Sequence, residues 1–81
     1  MSEEWVVLLE RVNAFRSLMA MLLPVLRKPE AKSQAFRTHA LPLIKASQAF
    51  GLDQQECIAE MLDEVRISYG LPAEPSSPTP Q

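Results

Sequence analysis

The side chains best suited to chemistry in this sequence are a single histidine, His39, a single cysteine, Cys57, and five closely spaced carboxylates, Asp53, Glu56, Glu60, Asp63 and Glu64. A cysteine next to a base makes a nucleophile. His39, however, has no Cys or Ser at a spacing that would pair them, and it sits beside Pro42. A surface or helix-packing role is expected for it. Cys57 falls near the start of a predicted helix, where a thiolate would be stabilised. Its position also suits an apolar contact that clamps the helix start, so burial and a structural role are expected. Glycine-rich phosphate loops, clusters with metal-ligand spacing and isolated carboxylate pairs are all missing from the sequence. Neither enzymatic activity nor a cofactor is therefore expected.

The carboxylates read better as a surface. At steps of 3, 4, 3 and 1 they share one broad helix face, which can dock on a basic groove of a partner. The bases are concentrated elsewhere. Arg27, Lys28, Lys32, Arg37 and Lys45 against Glu30 leave +4 on residues 27–45, whereas residues 46–81 carry −5 and residues 1–26 carry −1. The net charge of −2 thus conceals a polar molecule. Pairing of the basic second helix with the acidic third across a hairpin is one expectation. The alternative is contact between the basic 27–45 segment and the phosphates of a nucleic acid, a weak signal without interleaved aromatic residues.

The run KASQAFGLDQQECIAEML, Lys45 to Leu62, resembles a helix-turn-helix, with Gly51 at the turn. Two features count against DNA binding through it. Glu60 occupies a late position where that motif needs an apolar residue, and the would-be recognition helix carries all five carboxylates toward the phosphates it would have to approach.

These side chains must be positioned by helices. Trp5, Leu8, Val12, Phe15, Met19, Leu22 and Leu26 follow steps of 3, 4, 3, 4, 3 and 4, an apolar seam along a first helix. Ser2 is placed to cap its start, with Glu3 and Glu4 in the first turn. Val6, Val7, Leu9 and Leu23 widen the apolar face, as for a helix buried between two neighbours. Pro24 predicts a kink or an end nearby, and Pro29 the first position of a second helix. In that helix Phe36, Ala40, Leu43, Ser47 and Phe50 form the buried line, and Pro42 should kink or split it.

SQAF occurs twice, at Ser33–Phe36 and Ser47–Phe50, with the phenylalanines two heptads apart. Four letters are weak evidence of duplication, so both Phe residues are expected simply to face the core. The third helix is expected to start at Asp53, with a capping box to Glu56 and an apolar staple between Leu52 and Cys57. Ile58, Met61, Leu62, Val65 and Tyr69 make its stripe. Gly70 suits a left-handed cap, with Leu71 folded back onto the last turn and Pro72 blocking continuation.

The predicted fold is therefore all-α, a bundle of about three helices over residues 1–70 with a disordered Pro/Ser-rich tail over 71–81. Pro72, Pro75 and Pro78 would share one face of a polyproline II helix and could serve as a docking motif. One cysteine excludes an internal disulfide and suits a reducing compartment. The acidic start MSEEW is unlike a signal peptide, and the apolar run SLMAMLLPVL is far shorter than the roughly 20 residues that span a bilayer. A soluble cytoplasmic protein without membrane contact is expected.

A chain of 81 residues buries a modest core. Hydrophobic residues nevertheless make up 47% of it, a surplus that points to an interface. Met19, Met21, Met61 and Trp5 could supply adaptable contacts. The expected function is a protein–protein interaction module, such as an adaptor, a small chaperone or an inhibitor, or a homo-oligomer. The docking surface would be Trp5, Leu8, Val12, Phe15, Met19 and Leu22.

Overall fold

The computed structural model describes residues 2–73 and contains three α-helices, which pack against one another. Helix α1 spans Glu3–Leu22, α2 spans Pro29–Ser47 and α3 spans Leu52–Ser68. The Ser2 hydroxyl accepts a hydrogen bond from the Trp5 backbone N–H at 3.1 Å, satisfying one of the donors that a helix start leaves without a partner. Pro24 ends α1: residues Leu23–Val25 tighten into a 3-10 turn, and Leu26 is extended. Pro29 opens α2 at its first position.

The core is one cluster drawn from all three helices. Trp5, Leu8, Val12, Phe15, Met19 and Leu23 meet Phe36, Ala40 and Leu43, together with Ile58, Leu62 and Val65. The seam predicted on α1 is the line that is buried, with a shift at its end: Leu23 is fully buried, while Leu22 is half-buried. A repeat of 3.5 drifts by about 20° per heptad on a straight helix. After two heptads the next inward position is four residues beyond Met19, not three. Val6 and Val7, expected to widen the buried face, are exposed. Leu9 is half-buried against the cluster.

Two edge-to-face aromatic contacts hold α1 against α2 in antiparallel register. Phe15 meets Phe36 at 5.5 Å between ring centres, and Trp5 meets Phe50 at 5.4 Å. Each such pair contributes about 0.5–1.5 kcal/mol beyond the area it buries. The second SQAF nevertheless behaves differently from the first. Ser33–Phe36 is helical, whereas α2 ends at Ser47, and Gln48, Ala49 and Phe50 curl back through hydrogen bonds to Lys45, Ala46 and Ser47. Phe50 therefore reaches Trp5 from a turn. The same four letters make a helix in one place and a helix end in the other, because Gly51 follows only the second.

Pro42 does not split α2, which runs unbroken through it. The ring lies on an exposed side of the helix, where water can serve the Thr38 carbonyl that loses its usual donor. Helix α3 starts earlier than expected. Gly51 is its N-cap, and the Gln54 side chain accepts a hydrogen bond from the Gly51 N–H at 3.3 Å. Asp53 is thus inside the first turn. The expected staple is absent: Leu52 is 77% exposed and Cys57 is exposed.

The end of α3 matches expectation closely. Gly70 has φ +65°, Gly70 N–H donates to the Ile67 carbonyl, and Leu71 N–H donates to the Arg66 carbonyl, both at 3.0 Å. This is a Schellman ending. It folds the Leu71 side chain into the core, at 7% exposure, so the packed unit extends past Gly70 into what was expected to be tail. Pro75, Pro78 and the remainder of the expected tail from residue 74 onward lie outside the described residues. Among the described residues, no helix is long and apolar enough to cross a membrane.

Candidate interaction surfaces

The α1 seam is consumed by the fold. Trp5, Leu8, Val12, Phe15 and Met19 are buried against α2 and α3 of the same chain, and Leu22 is half-buried beside them. In this fold they are core, and a docking surface must come from what the packing leaves outside. Of the methionines, Met19 is buried and Met61 half-buried, while Met21 stands 75% exposed.

Helix α1 carries a second apolar line on its outer flank. Val7, Ala14, Leu18 and Met21 are exposed along it, and Val25, in the 3-10 turn just beyond the helix, is 71% exposed. With Arg11 between Val7 and Ala14, the positions 7, 11, 14, 18, 21 and 25 advance by 4, 3, 4, 3 and 4, the same rhythm as the buried seam, rotated around the helix. At its amino-terminal end this stripe borders a groove of about 470 Å³, floored by Val7, Leu8, Ala46, Ala49 and Phe50 and rimmed by Glu3, Glu4 and Arg11. A concavity and a protruding apolar end thus occupy opposite ends of one line. The sequence held this signal as a second phase of the 3–4 repeat, masked by the stronger first one.

The acidic face forms as expected. Asp53, Glu56, Glu60, Asp63 and Glu64 are exposed, and helical periodicity places them within an arc of about 100° on the side of α3 away from the core. Two are engaged: Glu64 accepts from the Arg16 guanidinium at 3.0 Å, and Asp63 from Arg66 at 3.0 Å. Arg66 also donates to the Leu71 carbonyl and so helps to fasten the end of α3. The pairing of these charges differs from the hairpin pairing expected between α2 and α3: Glu64 and Asp63 are met by arginines of α1 and α3. Among the described residues, no ion pair joins Arg27, Lys28, Lys32 or Lys45 to α3. The guanidinium that reaches across to the acidic face belongs to α1.

The basic segment is not a single patch. Arg27 and Lys28 lie in the connection before α2; Arg37 and Lys45 lie about 80° apart around the helix, and Lys32 about 140° from each. His39 is exposed on α2 and Cys57 is exposed on the flank of α3. Among the described residues, neither makes a hydrogen bond or an ion pair. The exposure of Cys57 was readable: it lies about 100° from Ile58, which anchors the buried stripe. Among the described residues, no group of three His, Cys, Asp or Glu side chains could hold a metal ion. No protein-family model matches the chain, and no curated protein or solved structure matches it either.

Proposed function

We propose that this chain is a non-enzymatic protein–protein interaction module whose docking surface is the outer stripe of α1. The observation that supports this reading is the stripe itself. Val7, Leu18, Met21 and Val25 remain exposed in line after the core has been built. Apolar side chains scattered singly over a surface are ordinary, whereas an aligned set bordered by an apolar groove characterises a binding site. The acidic back of α3 adds a charge preference. Asp53, Glu56 and Glu60 make no ion pair among the described residues. They favour partners with a basic surface and repel nucleic acid. The division of the basic residues between the connection and two sides of α2 gives less support to the nucleic-acid reading.

The test is capture from native-host extract with the tagged wild-type chain and with Leu18→Asp, each half treated with nuclease. A protein held at stoichiometric level by the wild type after nuclease, and lost from Leu18→Asp, is the expected result. Retention by both chains would remove the stripe from the mechanism. Loss of every bound species on nuclease treatment would transfer the function to Arg27, Lys28 and their basic neighbours.

A further inference from the structure

We infer that the occupant of the α1 stripe is a second copy of this chain, packed antiparallel about a two-fold axis. This rests on the interaction-module reading above and names its partner. The stripe is self-complementary when reversed. Pairing α1 with an antiparallel copy of itself so that facing numbers add to 32 places Val7 opposite Val25, Arg11 opposite Met21 and Ala14 opposite Leu18. A two-fold interface requires this reciprocity, in which residue i meets j and j meets i.

Shape supports the same register. Met21 and Val25, 75% and 71% exposed, project from one end of the stripe, and the groove floored by Val7, Leu8, Ala46, Ala49 and Phe50 lies at the other. Reversal brings each projecting end over the groove of the other copy. At the axis, small Ala14 faces large Leu18, so the two helices can approach closely. The α-helical part of the pairing runs from residue 7 to residue 22, roughly 23 Å at 1.5 Å per residue, and Val25 follows in the 3-10 turn. The Arg11 stem can lie over the facing Met21 while its guanidinium stays in water.

Charge supports it independently. The rim of the groove carries Glu3 and Glu4, and the chain just beyond Val25 carries Arg27 and Lys28. All four are exposed, and none has an ion-pair partner among the described residues. In the reversed pairing the acidic start of one α1 lies toward the basic segment that follows the other, at both ends of the interface. In a parallel pairing the carboxylates would face carboxylates and the bases would face bases, which costs affinity.

Sedimentation equilibrium of the purified full chain tests this directly. The expected mass is twice the 9.1 kDa of the chain. Leu18→Asp should weaken the dimer about a hundredfold, because it buries a carboxylate with no partner, and the helical circular dichroism should persist. Glu4→Lys should weaken the dimer by a smaller factor, and adding Lys28→Glu should restore it. In a Cys57→Ser background, a mixture of Val7→Cys and Val25→Cys chains should form a disulfide between unlike chains, and Val7→Cys alone should not cross-link. A single-chain mass at every concentration would overturn the inference, as would cross-linking of Val7 to Val7. If the purified chain stays single while stripe-dependent capture of a different protein persists, the self-pairing falls and the interaction-module reading stands. If Leu18→Asp changes neither, both fall.

Discussion

Helix α1 carries two apolar lines of the same 3–4 rhythm, and they end in opposite surroundings. Trp5, Leu8, Val12, Phe15 and Met19 are buried, Val12 and Met19 completely, whereas Val7, Ala14, Leu18, Met21 and Val25 face outward. What separates them is the number of neighbours available. Helices α2 and α3 cover the side of α1 that holds the first line, and the described residues contain no fourth α-helix for the second. Side-chain size helps to decide which line goes inside. The inner one has the ring systems of Trp5 and Phe15, each meeting a phenylalanine edge to face. The outer one is interrupted by Arg11 and Ala14. Periodicity therefore locates apolar lines, while bulk and continuity rank them for burial.

The contrast is broken most forcefully from the inside. Phe15→Ala removes a ring at 4% exposure and its contact with Phe36, and should cost about 3–5 kcal/mol in urea unfolding. Next comes the foundation that both lines share. Ser2→Ala deletes the hydroxyl that accepts from Trp5 N–H, and should cost about 1 kcal/mol with a lower thermal midpoint. On the outer line, Met21→Ala should change the stability of the single chain by no more than about 0.5 kcal/mol. That measurement belongs at low protein concentration, where mass action disfavours association. A loss near that of Phe15→Ala would mean the outer line is also core, and would dissolve the contrast.

Much of this fold was legible before any coordinates, and the failures share a cause. Gly70, Leu71 and Pro72 announced the end of α3 because a left-handed residue, an apolar residue and a helix breaker stand in consecutive places. Ser2 and Pro29 announced two starts in the same local way. The differences sit at helix ends, where neighbouring residues compete to cap and stop the helix. Asp53 was the better capping residue by type, yet α3 begins at Leu52 with Gly51 as its cap, and the Gln55 side chain also donates to the Phe50 carbonyl at 2.8 Å. Counting from Asp53 put Cys57 in the wrong environment. The second SQAF leaves the helix just before Gly51, and Phe50 then meets Trp5 from the turn. For the candidate surface, the acidic face was read correctly from spacing. The outer stripe is weaker in the sequence, because Arg11 and the small Ala14 interrupt it beside the bulkier inner seam.

A similarly small effect lies at the edge between the buried seam and the solvent. Arg16 reaches from α1 to Glu64 at 3.0 Å, with the two side chains 38% and 71% exposed. At that exposure the attraction is shared with water, and Arg16→Ala should cost only about 0.2–1 kcal/mol. Most of that loss should vanish in 1 M salt, where the screening length falls to about 3 Å. Glu64→Gln should cost about as much, and the two changes together little more than either alone, which a double-mutant cycle would read as coupling. If Arg16→Ala instead costs well over this range and ignores salt, its aliphatic stem is acting as part of the inner line by covering the core. Arg16→Met would then recover the loss, and the boundary between the two sides of α1 would move outward by one residue.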